Sequence, residues 1–365
     1  MKRLKICFFI PFFPFTKGGA EYQSKLIALE LSNLGHDVFF ISQGLKNGQV
    51  IHEDGFKIHG VEVISNVKEK VTLYKDFSKT FKKIILVENP DIVYQRILNT
   101  FSYRISTIAN KLNIPYVLHI ADNYSIEFKG VKGFFKKQLF KSILQNNVAI
   151  ITQTNYQYSI IKELAQNNLL IKVPNMHPII LNEVITKQKN EILWIGNARP
   201  VKQLELYLEL AKSYENSNYL FKVVGNLPNT AYGQQLQKII DESTNVEYFG
   251  EQENTFINKE LSSVGLLINT SVSEGFSNTF IQAWMSGTPV LSLNSDPDGI
   301  IEQFNLGVNC NGDTSKLFIE MKIILDSDRY LETCKNALKV SNELFSLQKN
   351  VKLIENLFKD ILREN

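Results

Sequence analysis

Residues 264–293 constrain the fold of this chain more than any other stretch, because they alternate strand and helix patterns over a short distance. Val264–Asn269 and residues 290–293 are apolar runs of strand length. Between them lie a polar turn and a short helix with one apolar side, which Gly287 ends. A helix is therefore predicted to begin just past the carboxyl end of a buried strand.

The start of this helix is suited to bind an anion. Ser277 and Asn278 are both good N-cap residues, and the unpaired N–H groups of a first helical turn attract phosphate, as does the positive end of the helix dipole. Glu274 lies in the turn ahead of the helix, and Gln282 lies one turn beyond Asn278 on the same helix face. We predict a phosphate here, with Glu274 and Gln282 holding two ends of one polar ligand.

The rest of the chain repeats the alternation of strand and helix. Short apolar runs and helical patterns follow one another, which predicts βαβ units and parallel sheets. The expected strands are Leu4–Ile10, Asp37–Ser42, Phe56–Glu62, Asp91–Gln95, Tyr116–Ile120, Val148–Thr152, Tyr219–Gly225, Val246–Gly250 and Val264–Asn269. Because 365 residues exceed what one hydrophobic core usually serves, we expect two domains of similar size.

Composition excludes several classes of protein. With 44% hydrophobic and 21% charged residues, the chain is typical of soluble globular proteins. No apolar run approaches the length that spans a bilayer, and the first apolar run is too short for a signal peptide and ends at Pro11. The three cysteines are scattered without metal-ligand spacing, which fits a reducing compartment. We expect a cytoplasmic protein.

The first half of the chain is basic. Residues 1–175 carry 23 Lys and Arg against 13 Asp and Glu, a net charge of +10, within a total of +3 for the chain. Residues 128–144 interleave Phe and Lys at helical spacing. This pattern allows two interpretations: a helix that lies on the inner face of an anionic membrane, or an ordinary helix packed on the sheet with solvated lysines. Four further lysines could extend the first surface: Lys75, Lys79, Lys82 and Lys83.

The loop after the first strand excludes two kinds of nucleotide site. A dinucleotide site would need Gly-x-Gly-x-x-Gly there and a Walker loop would need Gly-Lys-Ser/Thr, and neither is present. Instead, Gly18 and Gly19 lie at the start of a helix, where backbone can approach a ligand closely. A purely structural turn is the alternative.

Three other residues are candidates for chemistry. His119 lies at the carboxyl end of a predicted strand, where open α/β sheets bind ligands, although a structural hydrogen-bonding histidine is the alternative. Arg199 and Lys202 follow Gly196 at the entry to a predicted helix. Two fixed cations at this place can stabilise negative charge on a ligand without a metal, and two exposed surface cations are the alternative.

Several of these strings resemble one family. Glu274-Gly-Phe-Ser-Asn-Thr-Phe-Ile-Gln282-Ala-Trp-Met-Ser-Gly-Thr-Pro-Val290 resembles the Glu-x7-Glu signature of the retaining glycosyltransferases of family 4, among the group 1 glycosyltransferases, with Gln282 in place of the second Glu. Gly18-Gly19-Ala20-Glu21 is similar to the family's Gly-Gly-x-Glu loop, and Lys202 matches the lysine of its Gly-x5-Lys-Gly loop. Pro174-Asn175 resembles the family's domain boundary.

The resemblance implies the α/β GT-B fold, with two Rossmann-like domains whose parallel sheets face each other across a cleft. The implied parts are an acceptor-binding domain (1–175), a linker (176–190), a nucleotide-sugar-binding domain (191–345) and a C-terminal helix that crosses back to the first domain (346–365). The site residues implied are catalytic (Glu274, Arg199, Lys202, His119), donor-binding (Gly196, Gly225, Gly250, Gly275, Phe276, Ser277, Asn278, Thr279, Gln282) or on the acceptor side (Gly18, Gly19, Glu21).

The implied activity is the retaining transfer of a sugar, as by a hexosyltransferase, from a nucleotide diphosphate sugar to a glycan or lipid-linked acceptor in bacterial surface polysaccharide synthesis. No cofactor, metal or nucleic-acid partner is expected. A sugar-nucleotide epimerase of the same fold and a non-catalytic binding subunit are the alternatives.

Overall fold

The computed structural model describes residues 3–16, 18–62, 74–180 and 186–364, which fall into two compact units. Unit 1 comprises Met1–Asn175 and Leu347–Asn365, and unit 2 comprises Met176–Ser346. Each unit has its own sheet with helices packed against it, so the predicted α/β class is confirmed.

The sheet of unit 1 has eight strands in the order β3-β4-β2-β1-β5-β6-β7-β8 among the described residues. The strands are β1 (Lys5–Phe9), β2 (Asp37–Ser42), β3 (Val50–Glu53), β4 (Phe56–Gly60), β5 (Ile92–Arg96), β6 (Tyr116–His119), β7 (Val148–Thr152) and β8 (Leu170–Lys172). The helices are α1 (Gly19–Asn33), α2 (Lys75–Glu88), α3 (Ser102–Lys111), α4 (Gly130–Leu144) and α5 (Asn155–Leu164). The pairs are parallel except β3 with β4. The sequence did not predict β3, an edge strand with mostly exposed side chains.

A last helix, α13 (Leu347–Glu364), completes unit 1 by packing on α1. Its Glu355 is fully buried and lies 3.3 Å from Nε2 of His36. The backbone N–H of Leu4 donates to Nδ1 of His36, so the ring proton is on Nε2 and points at the carboxylate. Lys352 and Lys359 each lie 2.5 Å from the same carboxylate. Burial raises the pKa of Glu355, but hydrogen bonds from the two lysines and His36 outweigh it and lower the pKa to about 2.

We expect Glu355→Gln to lower the free energy of unfolding by about 3 kcal/mol at neutral pH, because two lysines lose a buried partner. The folded pKa of Glu355 is about 2 and the ordinary value is 4.5, so the folded state binds fewer protons in this range. Wild-type stability should fall as the pH drops from 4.5 to about 2, and the variant should lose less. Urea unfolding at several pH values measures both. Asp360→Asn, which changes an exposed pair on the same helix, is the control and should cost under about 1 kcal/mol.

The sheet of unit 2 is parallel and has six strands in the order β11-β10-β9-β12-β13-β14 among the described residues. The strands are β9 (Gln188–Ile195), β10 (Leu220–Val224), β11 (Val246–Tyr248), β12 (Val264–Asn269), β13 (Val290–Ser292) and β14 (Gly307–Asn309). The helices are α6 (Leu204–Ser213), α7 (Ala231–Glu242), α8 (Asn254–Ser263), α9 (Asn278–Met285), α10 (Ile300–Gln303), α11 (Thr314–Asp326) and α12 (Tyr330–Leu344).

The predicted linker 176–190 is not a free connection along its whole length. His177 donates its backbone N–H to the carbonyl of Phe345 in unit 2, and Met176 is fully buried. At the other end β9 begins at Gln188, because its first residues pair with β12 despite their polar side chains. Residues 181–185 lie outside the described residues.

Candidate active site

The sheet order of unit 2 places a switch point between β9 and β12. From β9 the chain moves outward to β10 and β11, and then returns to the other side of β9 as β12. Ligands of open α/β sheets bind beyond the carboxyl ends of the strands at such a point. The loops that follow β9 and β12 carry the predicted residues Arg199, Lys202 and Glu274.

Glu274 and Lys202 meet at this switch point. Lys202 Nζ lies 2.5 Å from Oε1 of Glu274. Ser271 Oγ and Asn269 Nδ2 donate to the same oxygen at 2.7 and 3.2 Å. Within the described part of the chain, no residue donates a hydrogen bond to the second oxygen, Oε2. The carboxylate is thus anchored through one oxygen, and the other can meet a ligand.

The two loops are fastened to each other by hydrogen bonds to the backbone carbonyls of Val201 and Lys202. Thr270 Oγ1 accepts from Trp194 Nε1 at 3.0 Å and donates to the carbonyl of Lys202 at 2.7 Å. The N–H of Val272 donates to the carbonyl of Val201 at 2.9 Å. These bonds hold a 3-10 turn, Pro200–Lys202, against the loop after β12. The position of Lys202 therefore follows from the fold and not only from its ion pair.

Arg199 does not contact Glu274 as Lys202 does, and its place at a shared diphosphate site stays a prediction. Its side chain is exposed, at the N-cap of the 3-10 turn, and no described residue forms an ion pair with it. Lys202 alone contacts Glu274 in this structure. Arg199 adds a second positive charge three residues away, on the exposed side of the same loop.

Helix α9 begins four residues after Glu274. Ser277 is at the N-cap but makes no side-chain capping bond, since its hydroxyl lies 2.9 Å from Oγ1 of Thr279 instead. Gly275 is half-buried in the turn before it. Phe276 is 5% exposed and packs against Phe345, at 5.2 Å between ring centroids, so this predicted donor-binding side chain anchors the loop in the core.

Gln282 is buried one turn into α9, and its amide is already engaged. Nε2 donates to Oδ1 of Asn254 and of Asn258, each at 3.1 Å. The nitrogen of Gln282 is thus occupied, and its amide oxygen is the atom left to accept a hydrogen bond from a ribose hydroxyl. Asn254 and Asn258 were not predicted as site residues, although their spacing of four places them on one helix face.

Lys187 supports the carboxyl end of α9. It was not predicted as a site residue, because it lies in the stretch 176–190 that was interpreted as a linker. Its Nζ donates at 2.6 to 3.0 Å to the carbonyls of Leu261, Ser262 and Ser286 and to Oγ1 of Thr288. These carbonyls lie at the carboxyl ends of α8 and α9, where a cation is favoured. Burial nevertheless lowers the pKa of Lys187 to about 8.

Three predicted glycines come together at the ends of neighbouring strands. Gly225 donates its N–H to the carbonyl of Gly250 at 2.8 Å, and Gly196 donates to the carbonyl of Val224 at 2.9 Å. Gly225 has a φ of +140°, and a Cβ added there would lie 1.8 Å from the carbonyl oxygen of Gly196. Gly250 has a φ of +66° but open space around the Cβ position.

We therefore expect Gly225→Ala to destabilise the protein by about 3 kcal/mol or more, because backbone must move at both strand ends. Gly250→Ala keeps an unfavourable φ without a clash and should cost about 1 kcal/mol. Urea unfolding of the two variants makes the comparison. Equal losses would contradict the close approach of Gly225 to Gly196.

The predicted acceptor-side residues lie at the corresponding switch point of unit 1, between β1 and β5. Gly19 begins α1, and a Cβ on Gly18 would lie 2.2 Å from the Glu21 carboxylate, which is folded back over the loop. Glu21 is 9% exposed, and burial raises its pKa. The positive charge of Arg96, at the end of β5, acts on Glu21 in the opposite direction.

His119 is the last residue of β6, as predicted, but its ring is fully buried. Nδ1 lies 2.7 Å from the hydroxyl of Tyr94 and 3.1 Å from Nη1 of Arg96. Nη1 of Arg96 also lies 3.3 Å from Nε2, and because an arginine can only donate, the imidazole ring accepts from it. Burial, and then the charge of Arg96, hold the pKa of His119 well below its ordinary value. A direct contact of this histidine with sugar or acceptor stays a prediction.

The buried Arg96 was missed by the sequence analysis. It is 1% exposed, donates from Nη2 to Oδ1 of Asn175 at 2.6 Å, and its Nε has no hydrogen-bond partner among the described residues. The signal was available, because Arg96 ends an apolar strand at the edge where ligands bind.

Within the described ranges, no group of three His, Cys, Asp or Glu side chains is placed to hold a metal ion. None of the helices in the part of the chain that the structure describes is long and apolar enough to cross a membrane.

Comparison with known proteins identifies the type of fold. Residues 179–318 match the family model described as Glycosyl transferases group 1. The sequence matches no curated protein.

Similar solved structures cover nearly the whole chain. Sucrose-phosphate synthase from Thermosynechococcus elongatus has a TM-score of 0.78 at 14% identity, with all of both chains covered. Anabaena HepE, solved with UDP and glucose, has a TM-score of 0.74 at 14% identity, covering 98% of this chain and all of that one. WaaG, a glycosyltransferase involved in lipopolysaccharide biosynthesis, has a TM-score of 0.68 at 17% identity, covering 96% and 99%. The chain therefore has the GT-B fold, and the part of it that matches the group 1 glycosyltransferase model lies in its second unit.

Proposed function

We propose that the protein transfers a sugar from a nucleoside diphosphate sugar to a hydroxyl of a glycan or lipid-linked acceptor, with retention of anomeric configuration. One observation carries this proposal. Lys202 and Glu274 meet at the switch point of unit 2, just ahead of a helix start whose N-cap side chain makes no capping bond. HepE holds UDP and glucose, and WaaG acts in lipopolysaccharide synthesis, which supports a role in bacterial surface polysaccharide synthesis.

The diphosphate is assigned to Lys202, Arg199 and the N–H groups of residues 277–279. The ammonium of Lys202 has three hydrogens, so it can bridge the Glu274 carboxylate and a phosphate at once. Arg199 is exposed, and no described residue pairs with its charge. As the sugar bond breaks, negative charge accumulates on the diphosphate, and these fixed donors stabilise it more than they stabilise the bound substrate. We propose that these groups supply the charge that a metal supplies elsewhere.

The sugar is assigned to Glu274. Its Oε1 is held by three donors, and Oε2 is left to accept a hydrogen bond from a sugar hydroxyl. In the transfer step the acceptor oxygen bonds to the anomeric carbon while the bond from that carbon to the β-phosphate oxygen breaks. The hydroxyl proton leaves with the nucleoside diphosphate, on the same face of the sugar, which gives retention.

The nucleoside is assigned to the oxygen of Gln282 and to the strand ends at Gly225 and Gly250. Gln282 would accept from a ribose hydroxyl, since its nitrogen is held by two asparagines. The acceptor is assigned to unit 1, where Gly18, Gly19 and Glu21 lie at the switch point. The three cysteines are buried and form no disulfide, which suits a reaction in the cytoplasm.

A thermal-shift screen against UDP, GDP, ADP, CDP and dTDP tests the donor site, because a ligand of the folded state raises the melting temperature. We expect one diphosphate to stabilise the wild type. If none does so at millimolar concentration, the proposal fails and a binding subunit for another ligand is favoured. An epimerase would also bind a diphosphate, but it would alter the free nucleotide sugar without an acceptor.

A further inference from the structure

Helix α4 carries apolar side chains on its outward side as well as on its inward side. Phe140, Ile143 and Leu144 are buried against the sheet of unit 1. On the outward side, Val131, Phe134 and Phe135 are 77%, 57% and 66% exposed. A surface helix normally turns polar residues outward. The inward contacts fit the ordinary-helix interpretation, but they leave the exposed phenylalanines unexplained.

The same segment carries only positive charge. No Asp or Glu occurs from residue 128 to residue 162, and six lysines do: Lys129, Lys132, Lys136, Lys137, Lys141 and Lys162. Lys129 and Lys132 are exposed beside the outward side of α4. Lys136 Nζ lies 4.1 Å from the ring centroid of Tyr124, which is 75% exposed. Aromatic rings and ammonium groups therefore share one surface.

The exposed aromatic side chains of unit 1 lie near one edge of its sheet. Among the described residues of unit 1, the exposed aromatic side chains are Phe12, Phe15, Tyr124, Phe134, Phe135 and Tyr156. Each lies in a loop, or in the first two turns of a helix, that follows the carboxyl end of a strand. The exposed aromatic groups thus concentrate at the edge of the sheet that carries Gly18, Gly19 and Glu21.

We propose that a basic aromatic surface, formed by Tyr124, Val131, Phe134, Phe135, Lys129 and Lys132, lies on the headgroup region of an anionic lipid bilayer. Phenyl rings insert at the boundary of the acyl chains, while lysine stems reach back to the phosphates. Pairing with a second copy would bring two positively charged surfaces together, so an anionic partner is favoured. This docking goes beyond sugar transfer and does not depend on it.

Sedimentation with vesicles tests the docking on the full chain. We expect the wild type to pellet with vesicles of phosphatidylcholine and phosphatidylglycerol, but not with phosphatidylcholine alone, and to be released by high salt. Phe134→Ser with Phe135→Ser should weaken the partition coefficient about tenfold or more. Lys129→Gln with Lys132→Gln should weaken it by about fivefold for each lysine.

Leu86→Ser with Val87→Ser is the matched control. Leu86 and Val87 are 58% and 73% exposed in the last turn of α2, and neither belongs to the basic aromatic surface. Their substitution should leave the partition coefficient unchanged. Circular dichroism and melting temperature verify that each variant is folded. The proposal is overturned if the wild type ignores anionic vesicles, or if the phenylalanine variant binds them as well as the wild type does. It is also overturned if analytical ultracentrifugation shows a dimer that the phenylalanine variant loses while vesicles remain unbound.

Discussion

Glu274→Gln is expected to lower kcat for sugar transfer by about 10²- to 10³-fold, the loss typical when one preorganised electrostatic group is removed from a site. The amide keeps the volume and hydrogen-bonding atoms of the side chain but loses the charge that Lys202, Ser271 and Asn269 hold in place. An amide carries two N–H donors and one oxygen, so Oε1 and Oε2 can no longer both act as acceptors. Steady-state turnover with the nucleotide sugar measures the effect.

The control for this substitution is Glu247→Gln, a change of the same chemistry at an exposed position on β11. Its kcat should match the wild type. Glu247→Gln should melt like the wild type, whereas Glu274→Gln weakens the ion pair with Lys202 and should melt a few degrees lower, so turnover is compared at a temperature where both variants are folded. If Glu274→Gln has the same kcat as the wild type, the carboxylate of Glu274 has no role in the mechanism.

Arg199→Ala is expected to weaken the binding of the nucleoside diphosphate by about tenfold or more, the usual value of a charge-assisted hydrogen bond. Stability should not change, since the side chain is exposed and pairs with no described residue. Lys202→Ala should also weaken binding, but it leaves Glu274 without its cation and should lower the melting temperature as well. Isothermal titration calorimetry separates the two effects.

Lys238→Ala removes a lysine that is 76% exposed on α7 and should bind the diphosphate like the wild type. Raising the salt concentration should weaken binding to the wild type more than to Arg199→Ala, because fewer charges are screened in the variant. If Arg199→Ala binds as tightly as the wild type, Arg199 does not contact the diphosphate and only Lys202 keeps that role.

The sequence predicted those parts of the fold that depend on local pattern. Val264–Asn269 was read with its observed bounds, because its side chains are buried on both faces and a glycine-bearing turn follows. The helix after it was predicted from its apolar side and from Gly287, whose φ of +68° ends it. Short edge strands such as β3 were missed, since exposed strands with mixed side chains carry little pattern.

The site was predictable as a set of loops but not as a set of contacts. The spacing of Arg199 and Lys202 suggested a shared ligand, but it did not show that the 3-10 turn brings Lys202 into contact with Glu274. The fold also buries His119 behind Tyr94 and Arg96, a result of the strand register that pairs Arg96 with His119. Such contacts between residues distant in sequence depend on register and loop geometry, which no local pattern records.

The most direct test of the proposed activity follows the products. Wild-type protein is incubated with the sugar derivative of the diphosphate that binds, labelled in the sugar, and with a bacterial lipid and glycan fraction as acceptor. We predict that labelled acceptor and free nucleoside diphosphate appear in equal amounts, that the new linkage keeps the anomeric configuration of the donor, and that Glu274→Gln forms almost none. Recovery of the nucleotide sugar unchanged, or as its epimer with no labelled acceptor, would contradict the proposed transfer.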